Sequence, residues 1–392
     1  MNDRCYIQDL AVISALGSGV EATRSRLLLG DRSGMALESG WLPEGDARVG
    51  RVEAALPPWL PAWPEFDCRN NRLFLAALEQ IRAACQAAVE KHGPRRVGVV
   101  LGTSTSGIAS GETAVEHEVR HGSFPSGFRY EQQEIGTLAP AAALVLGIEG
   151  PAYTISTACT SGAKALAAAR GLLRIGLCDA VIAGGVDTLC RLTVSGFAAL
   201  ESLSEDHCNP MSRNRNGINI GEAAALFLLS REAAPVALLG VGESSDAHHI
   251  SAPDPSGRGA EAAIRAALAD AGIEADAIGY VNMHATGTLK NDEMESQVMA
   301  RLFGDGIPMS GTKPLTGHAL GAAGALEAAF CWMALTGDGR LPPHVWDGEA
   351  DPALPRLHLV GVSEAAPAAP RWAMNNNFAF GGNNVSLVFR RD

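Results

Sequence analysis

Long apolar runs are missing from these 392 residues, and no stretch reaches the ~18 uninterrupted apolar residues of a membrane span. Excess basic charge is missing as well. Thirty-one Lys and Arg stand against 43 Asp and Glu, a formal charge of −12, which argues against nucleic acid as the main partner because polyanion binders carry a basic footprint. The eight cysteines contain no CxxC pair and no regular spacing, so neither a disulfide framework nor a zinc site is indicated. Adjacent His248 and His249 have no carboxylate cluster at ligand spacing, and no metal is expected. Gly102-Thr-Ser-Thr-Ser-Gly107 lacks the GK[ST] ending of a phosphate loop, so no nucleotide is expected either. The opening MNDRCYIQDL lacks the charged-then-apolar order of a signal peptide, and a cytoplasmic location follows as the expectation.

A hydrophobic content of 47% with 19% charged residues describes a chain with a large core. Many glycines fall where short β-branched runs stop, as in Val97 to Gly102, Ala180 to Gly185 and Ile278 to Asn282. Alanine-rich segments over 163–176, 260–272 and 321–336 carry helix formers with Gly near their ends. Strands alternating with helices make an α/β fold. The chain also repeats itself. Val97 to Ser106 resembles Ile278 to Thr288, and Tyr153 to Gly162 parallels Pro308 to His318, each pair placing a small-residue turn after a strand. Two similar α/β halves are expected, residues 1–233 and 234–392.

Three reactive side chains fall in those turns. Cys159, in Thr157-Ala-Cys-Thr-Ser-Gly162, precedes an Ala-rich helix, and a helix N-terminus favours the thiolate, so a lowered thiol pKa is expected. His284 ends a strand in Asn282-Met-His-Ala-Thr-Gly-Thr288, and His318 precedes a helix in Thr316-Gly-His-Ala-Leu-Gly-Ala-Ala-Gly324. Ligand sites of α/β sheets form at the carboxyl ends of strands, where these loops lie. The Gly-rich Asn375-Asn-Asn-Phe-Ala-Phe-Gly-Gly-Asn-Asn384 could turn backbone amides toward an oxyanion.

TACTSG, HATGT, GTKPLTGHALGAAG and NNNFAFGGNN, in this order, resemble the motifs of the β-ketoacyl-acyl carrier protein synthases, condensing enzymes of the thiolase superfamily. The resemblance implies duplicated thiolase-like halves layered α-β-α-β-α, with the nucleophile in the first half and both histidines in the second. It implies decarboxylative Claisen condensation of an acyl-Cys159 enzyme with malonyl carrier protein, in fatty-acid or polyketide synthesis. His284 and His318 match the residues that bind the malonyl thioester carbonyl. Lys313 and Glu327 match the polar pair behind them, and the amides of Cys159 and Phe380 match the oxyanion hole. Phe380, Phe378 and Ile108 match the acyl gate and pocket, and Thr286 and Thr288 the hydrogen bonds to pantetheine. No cofactor is implied beyond the phosphopantetheine arm of an acyl carrier protein. That carrier is one implied partner. A homodimer, or a heterodimer with a related synthase or chain-length factor, is the other.

Ala379 stands where relatives carry Gly, Asn216 where an acidic residue is usual, and Glu201 where a carrier contact is basic. Together with the Asn-rich loop, these departures are similar to synthases of specialised pathways, including bacterial aryl polyene assembly. Arg69, Arg72, Arg213 and Arg215 are candidate contacts for an acidic carrier. Thiolases use a second cysteine near the C-terminus, for which only Cys331 is available, within a helical segment. A non-catalytic chain-length partner is the alternative reading, against which the presence of Cys159 argues.

Overall fold

A computed structural model of the chain describes residues 4–366 and 368–392. Ten strands carry its main sheet: β1 (Cys5–Ser14), β2 (Val97–Gly102), β3 (Ala152–Ile155), β4 (Ala180–Asp187), β5 (Ala223–Ser230), β6 (Val236–Ser245), β7 (Tyr280–Asn282), β8 (Pro308–Ser310), β9 (Trp372–Phe378) and β10 (Asn383–Arg391). Their spatial order is β3-β2-β4-β5-β1-β6-β10-β9-β7-β8, and the short strands Gly17–Ser18 and His358–Leu359 add to β1 and β8.

The order is symmetric about the β1–β6 pair. On one side β3, β2 and β4 run parallel, and the β4–β5 and β5–β1 pairs are antiparallel. On the other, β8, β7 and β9 run parallel, and β9–β10 and β10–β6 are antiparallel. The duplication is therefore present in the backbone: β2 corresponds to β7, and β3 to β8.

Helices α1 (Arg69–His92), α2 (Ile108–His121), α3 (Leu138–Leu146), α4 (Ser161–Arg174), α5 (Arg191–Ala199), α6 (Arg258–Ala271), α7 (Leu289–Phe303) and α8 (Ala323–Leu335) complete the layers. The three expected from sequence, now α4, α6 and α8, lie within two residues of the expected ends. Alternate side chains of a strand serve opposite faces. Val97, Val99 and Leu101 of β2 therefore pack with α1 and α3, while Val100 packs with α4 and α8. In the second half Val281 and Met374 pack with α6 and α7, whereas Tyr280 and Ala373 face the α4–α8 layer. Helices α4 and α8 thus lie between the two halves of the sheet, which gives the α-β-α-β-α layering. A helix in that position needs apolar residues on every face. Every residue of α8 except Trp332 is buried, and its one charged residue is Glu327. Among the described residues no helix is long and apolar enough to cross a membrane.

Two glycines let the central layer come close to the sheet. A Cβ on Gly102, at the end of β2, would lie 2.4 Å from the Ser161 carbonyl carbon, so strand and helix meet backbone to backbone. A Cβ on Gly162 would lie 3.0 Å from Ala325, which sets α4 against α8. This contact brings the loops before the two helices to one place.

Candidate active site

Cys159 stands in the turn between β3 and α4. Ala158 has φ of 52°, a left-handed conformation costing of order 1 kcal/mol for a residue with a Cβ. The Ser161 hydroxyl holds that turn by accepting from the Thr157 amide at 2.9 Å and donating to the Ala158 carbonyl at 2.6 Å. His318 enters from the corresponding turn of the other half, between the one-turn helix Lys313–Thr316 and α8. Its Nε2 lies 3.0 Å from Cys159 Sγ. His284 follows β7, and the amides of His284 and Ala285 each donate to one oxygen of Glu295 at 2.7 Å. The two imidazoles stand edge to face with centroids 5.4 Å apart.

Lys313 supports the histidine pair from behind. Its Nζ donates to the His284 carbonyl, to Glu327 Oε1 at 2.5 Å and toward His284 Nδ1 at 3.4 Å. An ammonium only donates, so His284 Nδ1 accepts, and the neutral ring carries its proton on Nε2. Glu327 Oε2 in turn accepts from the Asn377 side chain at 2.6 Å. His318 Nδ1 has no hydrogen-bond partner among the described residues, which leaves its ring free to hold a proton on either nitrogen.

Burial sets the protonation states. It pushes the Cys159 thiol up to about 12, against the opposing pull of Lys313 and the Phe380 amide. The lowered thiol pKa expected from the helix N-terminus is thus overturned, because desolvation of a buried thiolate outweighs a partial charge. Burial, then Lys313, holds both imidazoles well below their ordinary range, and for His284 the neighbouring His318 adds to this. The resting site is a neutral thiol beside two neutral imidazoles, with the thiol able to pass its proton to His318 Nε2. Among the described residues this triad is the one His/Cys/carboxylate group close enough to hold a metal ion, its ligand atoms lying within 4.8 Å of one another.

The triad closes one end of a cavity of about 300 Å³ whose walls include Thr286, Thr288, Phe378 and Phe380. The Phe380 ring packs on Phe197 with centroids 5.4 Å apart, and the Phe380 amide points at the Cys159 sulfur. Gly381 and Gly382, at φ of 83° and 77°, make the turn of this loop. Ala379 is not among the left-handed residues, so a Cβ there is accommodated while the two glycines supply the bend.

Not every candidate converges. Ile108 opens α2 and does not line the cavity. The four arginines offered as carrier contacts are engaged within the chain: Arg69 with Glu222 at 2.5 Å, Arg72 with Asp67 at 2.6 Å, Arg213 with Glu349 at 2.7 Å and Arg215 with Asp351 at 2.5 Å. Arg215 is itself buried. Sequence reasoning also missed Asp187, which accepts from Thr103 Oγ1 at 2.5 Å, the Thr105 amide at 2.9 Å and the Gly321 amide at 2.6 Å. It ties the loop after β2 to the loop before α8, and those hydroxyls are what made Gly102 to Gly107 look like an anion loop.

A buried cysteine beside an imidazole, under a backbone amide and on a duplicated thiolase-like sheet, is an arrangement that can take up an acyl group on sulfur. Residues 69–234 match the family described as Beta-ketoacyl synthase, N-terminal domain, and residues 236–345 match Beta-ketoacyl synthase, C-terminal domain. Nodulation protein E of Rhizobium meliloti is 34% identical over 81% of this chain and 80% of its own length. The 3-oxoacyl-[acyl-carrier-protein] synthase 2 of Vibrio cholerae is 29% identical over 99% of both chains. A solved ketosynthase (ApeO) in complex with its chain length factor (ApeC) from Xenorhabdus doucetiae is 47% identical, with a TM-score of 0.95 covering 99% of this chain and 98% of that one. The chain belongs to the β-ketoacyl synthase family, the condensing enzymes among acyltransferases.

Proposed function

We propose that the protein extends an acyl chain held on Cys159 by a malonyl unit delivered on an acyl carrier protein. The observation that carries this is the 3.0 Å approach of His318 Nε2 to Cys159 Sγ beside a second, neutral imidazole. In the first half-reaction the thiol proton moves to His318 as sulfur attacks the donor thioester. Collapse of the adduct expels the carrier thiolate, which takes that proton. In the second, malonyl thioester loses carbon dioxide while His284 donates its Nε2–H to the forming enolate oxygen. The enolate carbon attacks the acyl-Cys159 carbonyl, whose oxyanion sits under the amides of Cys159 and Phe380. The Cys159–acyl bond breaks, and the thiolate regains a proton from solvent. Thr286 and Thr288 fit the amides of the pantetheine arm, and a loop turning at Gly381 and Gly382 lets Phe380 act as the acyl gate.

The partner we propose is a chain-length factor. Among the described residues β3 pairs with β2 alone, so it ends the sheet with one edge open and Tyr153 38% exposed. The ketosynthase of Xenorhabdus doucetiae was solved with such a factor, and the departures at Ala379 and Asn216 suit a specialised pathway such as aryl polyene assembly. Ile108 would reach the acyl pocket across that interface. The resulting complex would work in the cytoplasm.

The decisive experiment is intact-protein mass spectrometry of the chain, alone and with its partner, given an acyl carrier-protein thioester and then malonyl carrier protein. The expected result is an acyl adduct that discharges as β-ketoacyl carrier protein. Discharge as free acid would make the protein a hydrolase, and no adduct in either preparation would make it the non-catalytic partner.

The buried imidazoles also fix a pH response. A base with lowered pKa stays neutral until pH falls through the lowered value, so malonyl decarboxylation should keep its rate from about pH 8 to about pH 6. A decline centred on the ordinary imidazole value in the pH–rate profile would contradict this assignment.

A further inference from the structure

The segment from His284 to Lys290 leads from the bottom of the cavity to its mouth. His284 is 2% exposed and Thr286 7%, Thr288 is half-buried, Leu289 is 59% exposed, and Lys290 is exposed; His284, Thr286, Thr288, Leu289 and Lys290 all line the same cavity. This gradient traces the path of any elongated thioester that reaches Cys159. Lys290, on the first turn of α7, is the only cation among the described residues lining that cavity, and no carboxylate pairs with it. It differs in this from the arginines at 69, 72, 213 and 215, which are all engaged. Two carboxylates share the walls. Asp246 is occupied by the Asn384 side chain at 2.7 Å and the Asp254 amide at 3.0 Å, and Glu201 is exposed on the turn after α5.

We infer that Lys290 is a specificity-determining residue that reads the phosphate of a phosphopantetheine-borne acyl group. A free ammonium at the mouth, with polar threonines between it and the triad, matches the order of groups along such an arm: anionic phosphate outermost, amides next, thioester innermost. An exposed charge pair of this kind changes a rate constant by about fivefold. The inference rests on the condensing reading above.

The experiment measures the rate of Cys159 acylation by mass spectrometry with two small donors, an acyl-phosphopantetheine and the same acyl-pantetheine without phosphate. Neither brings a carrier-protein surface. In the unmodified protein the phosphorylated donor should load about five times faster. Lys290→Gln should bring that ratio to about unity, and Lys290→Arg should retain it. A ratio that Lys290→Gln leaves unchanged, or a ratio near unity in the unmodified protein, overturns the assignment of Lys290 and leaves the condensing function standing. Absence of any adduct from either donor overturns both.

Discussion

Cys159→Ala should abolish acyl loading and lower condensation by on the order of 10⁴-fold or more, the scale seen when a covalent nucleophile is removed. The seven other cysteines are buried, and only Cys159 lies within reach of an imidazole in the cavity. Decarboxylation should behave differently. It needs an enolate donor but no sulfur, so malonyl carrier protein should still release carbon dioxide from Cys159→Ala at a rate within about tenfold of the parent protein. The substitution keeps the Cβ and disturbs none of the hydrogen bonds that Ser161 makes across the turn, so the thermal transition should move by only a few degrees. An adduct persisting in the alanine variant would place the nucleophile elsewhere. Parallel loss of loading and decarboxylation would mean that sulfur does more than carry the acyl group.

The second large effect concerns the buried ion pair. Lys313 and Glu327 are 2% and 3% exposed at the side chain and 2.5 Å apart, so removing either one leaves an uncompensated charge in the central layer. Lys313→Met or Glu327→Gln alone should cost about 3–5 kcal/mol in denaturant unfolding. Replacing both with apolar residues of similar volume should recover most of that loss, because the pair contributes little net stability once its desolvation is counted. Activity should not recover with it. The double variant lacks the ammonium that makes His284 Nδ1 an acceptor, so the Nε2 proton is no longer fixed and decarboxylation should fall by about 10²-fold. A double variant as active as the parent would show that Lys313 serves only to neutralise Glu327.

The features the sequence made visible are the local ones. β2 ends where its β-branched run meets Gly102, the three alanine-rich helices lie within two residues of their expected ends, and the repeated strand-turn-helix units announced the duplication. The triad was legible because each member sits in such a turn, and packing α4 against α8 brings those turns together. Features that depend on distant partners were not. Whether a thiol at a helix start is activated or suppressed depends on the solvent around it, and nothing within Thr157 to Gly162 encodes its near-complete burial. Arg69 looked like a free cation because its partner, Glu222, lies 153 residues away. The clamp made by Asp187 was hidden for the same reason, its contacts lying 82 residues before it at Thr105 and 134 after it at Gly321. Ala379 stands where relatives carry Gly, yet the left-handed backbone lies two residues on, where glycines remain.

The position of β10 bears on how the protein is made. This strand, Asn383–Arg391, bonds to β6 on one side and β9 on the other, so it occupies the interior of the sheet although it is synthesised after both strands it joins. Until it leaves the ribosome, two strands of the second half present open edges, and the inner face of that half cannot settle on α8. Non-local pairings of this kind slow folding and lengthen the time during which strand edges are exposed to other chains. The nascent protein would thus hold a nearly finished first half until residues 383–391 are made, and the cysteine made early would acquire its histidine environment only once that later strand has closed the sheet.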